Sequence, residues 1–129
     1  KGFRFERDNR AFSPIHARES DNIYGDDYKV LENGCINIGN NVTLEFKDMD
    51  FTEKSASRII IYGRSNIDKN SIIIRFVNKE GERKQLVEFA KSEDYSKQSF
   101  EIGEVAGICQ VSFIFLPGCN FDFGWFRFE

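Results

Sequence analysis

The run Phe115-Leu116-Pro117-Gly118-Cys119-Asn120-Phe121-Asp122-Phe123-Gly124-Trp125-Phe126-Arg127-Phe128 constrains this chain more than any other part of it. A polar tip, Pro117 to Asn120, leads into a segment dense in aromatic residues, which favour strands. Left at a sheet edge, a strand this apolar would template aggregation, so it must lie inside a sheet. It carries one carboxylate, Asp122, and the chain's only tryptophan, Trp125. The chain therefore closes its own sheet structure with this segment.

Helical periodicity is almost absent elsewhere. Short apolar or alternating runs recur instead, the signature of an all-β chain. They predict strands near residues 15–19, 28–38, 42–48, 58–62, 71–78, 84–89, 99–102, 110–116 and 121–128. Gly39-Asn40-Asn41 fits a tight hairpin, because Gly and Asn tolerate positive φ. Lys79-Glu80-Gly81-Glu82 reads as a second hairpin tip. Val42, Leu44 and Phe46 alternate with polar residues, as do Val111, Phe113 and Phe115, so these strands turn one face to a core. Ile59-Ile60-Ile61 and Ile72-Ile73-Ile74 are apolar on both faces and predict central strands, or strands covered by a neighbouring domain. About nine short strands in one domain give a two-sheet β-sandwich of the jelly-roll kind. Residues 1–12 read as a lead-in whose Phe3, Phe5 and Phe12 pack along the sandwich or against a further domain.

The length of 129 residues suits a single domain over 1–129 that buries roughly two-thirds of its unfolded surface. Beginning at Lys1, the chain reads as an excised domain or a processed product. Net charge is −3, from 18 basic and 21 acidic residues interspersed along the chain. Without a basic stripe, nucleic acid is not an expected partner. No run approaches ~18 apolar residues, so no membrane span is expected. Cys35, Cys109 and Cys119 are odd in number, and with a single histidine, His16, they fit no zinc pattern. Buried free thiols are the expectation, with a Cys109–Cys119 bridge as the alternative. Free thiols favour a soluble, cytoplasmic setting over a secreted one. One histidine without a recognisable nucleophile signature gives no catalytic constellation, and His16 reads as a structural or surface residue. The acids of Asp48-Met49-Asp50 and Asp26-Asp27 read as solvated turn residues.

Three segments, in order, carry a resemblance: Ile15-His16-Ala17-Arg18-Glu19, then Gly34 through Phe46, then Gly107 through Phe128 with its Asn120-Phe121-Asp122 element. Together they resemble family 6-type carbohydrate-binding modules, which have a galactose-binding domain-like β-sandwich. Four further elements are Ile23-Tyr24-Gly25-Asp26, Asp48-Met49-Asp50-Phe51, Tyr62-Gly63-Arg64-Ser65 and Phe115-Leu116-Pro117-Gly118. They are similar to accessory modules of bacterial β-galactosidases of glycoside hydrolase family 2. The resemblance implies a non-catalytic accessory domain whose partners are a carbohydrate, a β-galactoside or oligosaccharide, and the other domains of its parent enzyme. The alternative is a structural spacer or docking domain that no longer binds sugar.

The resemblance also implies particular residues. Family modules clasp a sugar between two rings at one end of the sandwich and hydrogen-bond it with an Asn. Sugar C–H faces stack on aromatics while hydroxyls need directed polar partners. Asn120 matches the Asn, and Tyr95 is the candidate for the second ring. The first ring falls at Cys35, with Tyr24 or Tyr28 as substitutes. Arg64, at a sandwich end, is a candidate ligand contact or the partner of a neighbouring acid. Many family members hold a structural calcium between opening-strand carboxylates and a closing-strand Asp. Here the matching opening positions are His16 and Arg18, so no calcium or other cofactor is expected. Arg18 is expected to pair with Asp122 in place of the ion. Trp125 reads as a core residue, with an exposed sugar platform as the alternative.

Overall fold

The structure, a computed structural model, describes residues 10–32, 34–39 and 41–129. Nine strands account for most of it: β1 (Ile15–His16), β2 (Asn22–Tyr24), β3 (Lys29–Leu31), β4 (Gly34–Ile38), β5 (Val42–Ser65), β6 (Lys69–Asn78), β7 (Gly81–Ala90), β8 (Ser96–Phe115) and β9 (Phe121–Phe128). Short 3-10 turns at Arg10–Phe12 and Ala17–Glu19 are the helical content among the described residues. Hydrogen bonding runs along one path, β3-β4-β9-β5-β8-β6-β7, with β1 on β9 and β2 on β5.

This path folds over into two layers because β5 and β8 each serve both. In the first layer, Ile59–Ser65 of β5 lies between β9 and residues 96–101 of β8. In the second, residues 42–51 of β5 pair with β2 and with residues 107–115 of β8, which continues to β6 and β7. Bulges between Phe46 and Met49 and between Phe51 and Arg58, with Asp48 at φ 58°, turn the strand from one layer to the other. Phenylalanines fill the space between the layers. Phe113 of the second layer meets Phe123 and Phe126 of β9 at ring separations of 5.2 and 4.7 Å, and Phe46 meets Phe126 at 4.8 Å. Most of these contacts are edge-on or tilted, as ring quadrupoles prefer.

The two-sheet sandwich agrees with the sequence, and β9 is central, flanked by β4 and β5. Both isoleucine runs sit in inner strands, with Ile59, Ile61, Ile72 and Ile74 fully buried. Several details differ. The strand expected over 15–19 ends after His16 and gives way to a 3-10 turn. The strand expected over 28–38 is the β3–β4 hairpin, closed at Gly34, whose Cβ would lie 2.3 Å from the Phe123 carbonyl oxygen. The hairpin expected around Gly39 and Asn41 is not supported by its flanking strands: β4 pairs with β3 and β9 while β5 starts against β8 and β2, so β4 and the start of β5 belong to different layers. Asn41 nonetheless adopts φ 58°. The tip after Asn78 forms as expected, with Asn78 Oδ1 accepting from the N–H groups of Glu80 and Gly81.

All three cysteines are buried and unpaired, so the Cys109–Cys119 bridge does not form. His16 is exposed. Phe12 of the lead-in packs edge-on against Phe51 at 5.7 Å; Phe3 and Phe5 lie outside the described residues. No helix among the described residues is long and apolar enough to cross a membrane.

Candidate functional site

Backbone hydrogen bonds gather several loops at one end of the sandwich. Gly39 N–H donates to Asp27 O, Asn66 N–H to Asn120 O, Lys91 N–H to Asp68 O, and Ser92 N–H to Ser65 O. The tip Pro117–Asn120 lies among them. Its position is set by Asn70, which is fully buried in β6. Asn70 Oδ1 accepts the Asn120 N–H at 2.8 Å, and Asn70 Nδ2 donates to the Asn120 carbonyl at 3.3 Å and to Ser65 Oγ. Ser65 Oγ in turn donates to the Ile67 carbonyl at 2.6 Å. Buried polar groups of this kind persist because each finds a partner.

Asn120 itself is exposed. Its Oδ1 accepts from Asn66 Nδ2 at 2.8 Å, which fixes the amide and turns its own NH2 away from that bond. A donor pair is thus held at the loop end on a clamped backbone.

Beside it, β5 and β9 place Arg64 opposite Asp122. Arg64 Nε and Nη2 donate to Asp122 Oδ2 at 3.0 and 2.6 Å, and Oδ1 accepts the Asn37 N–H at 2.8 Å. Asn37 can aim that N–H because it sits at φ 55° in the β4 bulge. The Asp122 side chain is 2% exposed, and its hydrogen bond is the first cause of the rise of the Arg64 guanidinium above its ordinary pKa. The pair expected between Arg18 and Asp122 therefore does not form. Arg18 lies in the exposed 3-10 turn, while Arg64 is the direct cross-strand neighbour of the acid. This arrangement does not suit calcium. The oxygens of Asp122 already accept from a guanidinium and an amide, and the guanidinium places a positive charge beside them.

Tyr95, half-buried, leans on Tyr62 with ring centres 5.3 Å apart, and the Arg64 guanidinium carbon lies 5.5 Å from its ring centre. Burial raises its phenol first and the Asp122 charge second. Its Oη is buried without a partner among the described residues. Cys35, at the place of the first ring, is fully buried, and burial pushes its thiol up to about 11. Of the suggested substitutes, Tyr28 is half-buried against the core, next to Asp27 of the loop end. Tyr24 is exposed on β2, a strand of the other layer, with its hydroxyl 3.4 Å from Glu45 Oε1.

Three residues that sequence reasoning passed over matter here: Tyr62, Asn66 and Asn70. The polar run from Asn66 to Asn70 gives no sign in sequence of which of its amides is buried. Trp125 is also not a core residue. It is half-buried on the outer side of β9, opposite Tyr62.

No sequence-family model matches the chain, and no curated protein sequence matches it. Solved structures do. The module CsCBM6-3 from Clostridium stercorarium, in complex with cellobiose, is 22% identical with a TM-score of 0.77, over 92% of this chain and 94% of that one. A family 6 carbohydrate-binding module from Clostridium cellulolyticum, in complex with xylose, is 21% identical with a TM-score of 0.73, over 92% and 98%. The fold is that of the family 6 carbohydrate-binding modules. It also matches part of a glycoside hydrolase family 43 arabinoxylan arabinofuranohydrolase from Bacillus subtilis, at 15% identity and a TM-score of 0.71, over 92% of this chain and 27% of the enzyme.

Proposed function

We propose that this chain is a non-catalytic carbohydrate-binding module whose site lies at the loop end, around Asn120 and Tyr95. The observation that carries this reading is the presentation of Asn120, an exposed amide whose oxygen and backbone are both held, leaving an NH2 to meet a sugar hydroxyl. The half-buried ring of Tyr95 supplies an apolar surface of the kind that sugar C–H faces stack on. Structures of the same fold in complex with cellobiose and xylose support a neutral sugar as ligand. The parent is a glycoside hydrolase of the β-galactosidase kind, and the ligand a β-galactoside or oligosaccharide. The arabinofuranohydrolase that contains this fold supports an enzyme-linked role. With one clasping ring, affinity is weak, in the ~0.1–1 mM range.

A second reading, a spacer or docking domain without sugar binding, is favoured by one observation. Cys35, fully buried, stands where the resemblance places the first ring.

An NMR titration of the chain with galactose, lactose, cellobiose and xylose separates the two. Binding shifts confined to Asn120, Tyr95 and Asn66 are expected, unchanged by EDTA because no calcium takes part, and Asn120→Ala weakens them by about tenfold. No response at concentrations on the order of tens of millimolar leaves the spacer reading standing.

A further inference from the structure

Among the described strands, β7 carries the longest free edge. β2 and β3, which end layers elsewhere, have three residues each, whereas β7 has ten, pairs with β6 without a bulge and contains no proline. Short or broken edges resist pairing with further chains, and this one is neither. Across the gap between layers β7 faces β8, and side chains bridge the gap at both ends. Gln98 Oε1 accepts the Ala90 N–H at 2.9 Å while Gln98 Nε2 donates to the Ala90 carbonyl at 3.1 Å. At the other end Arg83 donates to the carbonyls of Ile102 and Glu104 at 2.7 and 3.3 Å. Between these bridges lies an open groove lined by Leu86, Val87, Glu88, Ser99, Phe100 and Glu101. Ala90 also shows which backbone groups of β7 point away from β6. In an antiparallel ladder each residue turns its N–H and C=O to one side, and successive residues alternate. Ala90 turns both outward to Gln98, so Glu88, Leu86, Lys84 and Glu82 turn theirs outward too. The Leu86 carbonyl accordingly accepts from the Gln85 side chain at 3.2 Å, a bond that a partner strand would replace.

We propose that β7 pairs antiparallel with β7 of a second copy of this chain, about a two-fold axis at Leu86. It goes beyond the sugar-binding reading and does not depend on it. In a two-fold interface the same residues meet on both sides, so the edge must complement itself. An axis at Leu86 does this. Leu86, 51% exposed, meets its own copy, Lys84 lies opposite the partner's Glu88, and Glu88 lies opposite the partner's Lys84. Lys84, Leu86 and Glu88 then each exchange N–H and C=O bonds with the residue opposite, along the stretch that no side chain bridges to β8. The present ion pairs of these charges are loose and exposed, Lys84 to Glu82 at 3.6 Å and Glu88 to Lys69 at 3.9 Å, so they hold neither side chain back. Other axes fail. One at Glu82, Arg83, Lys84 or Glu88 sets a charge against itself. One at Gln85 opposes Glu82 to the partner's Glu88, and one at Val87 opposes Leu86 to the partner's Glu88. Charge and register thus select a second copy as the occupant. A single strand edge is a small interface, so association falls in the ~10–1000 μM range.

The test combines sedimentation of the chain from about 10 μM to about 1 mM with amide hydrogen exchange at both ends of that range. A monomer–dimer equilibrium is expected, in which the amides of Lys84, Leu86 and Glu88 slow with concentration. Those of Gln85 and Val87, already bonded to β6, should not change. Lys84→Glu and Glu88→Lys each set like charges opposite one another, and each should weaken self-association by about tenfold or more. Mixed one to one, the two variants should associate within about threefold of the native chain, because each supplies the charge that the other lacks. A chain that stays monomeric throughout overturns the proposal and leaves the edge to a strand of a different protein. Self-association that neither substitution weakens, a mixture that does not recover it, or slowing confined to other amides also overturns it. Should either variant not fold, the exchange pattern of the native chain decides alone.

Discussion

Arg64 holds Asp122 through two nitrogens, and a carboxylate 2% exposed has little water to replace them. Arg64→Met keeps most of the stem but leaves that charge uncompensated. Since the Arg64 side chain is 39% exposed, the loss should fall short of a fully buried pair, at about 1–3 kcal/mol by urea unfolding. Arg18→Ala, on an exposed turn, should stay within about 0.5 kcal/mol. Cys35 gives a pH dependence. Its thiol is raised by burial from 9.0 to about 11. Below pH 9 both native and unfolded chains keep the proton, and the group does not change stability with pH. Between those values the unfolded chain loses the proton while the native chain keeps it, so stability falls as pH rises, by about 1.4 kcal/mol per unit. Burial raises the thiols of Cys109 and Cys119 in the same direction. Unfolding midpoints from pH 8 to 11 should show the decline, and Cys35→Ala should flatten part of it. At this scale the sequence was legible where chemistry is local. Arg64 was recognised as a residue that could pair with an acid, but which acid depends on two strands 58 residues apart coming into register. The same distance hid Asn70, which does its work on a tip 50 residues away.

The strands show where pattern reading loses the chain. Alternation is clean through Val42, Leu44 and Phe46 and again through Ile59 and Ile61, but bulges shift the register between them. Two strands were therefore expected where β5 runs unbroken for 24 residues, and β8 was divided in the same way. A bulge keeps the hydrogen-bonded path while breaking the period that a reader follows. The short β2, three residues long, offers too little pattern to find. Close approach between elements is equally silent in sequence. Gly63 of β5 faces β9 so tightly that a Cβ there would lie 2.6 Å from the Asp122 carbonyl oxygen and 2.4 Å from Phe121 Cζ. Gly63→Ala must push β9 outward, and a loss of about 1–3 kcal/mol in urea unfolding is expected. Because Arg64 and Asp122 are the next rung, the same change should broaden or shift the resonances of that pair.

At the scale of the molecule, nine phenylalanines among the described residues are at most 1% exposed and join the layers, and their periodic placement made the sandwich readable before any contact was known. The order of strands was not readable, because pairing between distant segments leaves no mark in a local window. That order has a consequence for how the chain reaches its native state. β9 is bonded to β4 on one side and β5 on the other, and those two strands are not bonded to each other. Until β9 arrives, both present open edges, and their partner is an aromatic segment that has nowhere else to hide. Such distant pairing closes slowly. If β9 is the last strand to pair, refolding chains at high concentration should compete to supply one another's missing strand, and refolding yield should fall as chain concentration rises.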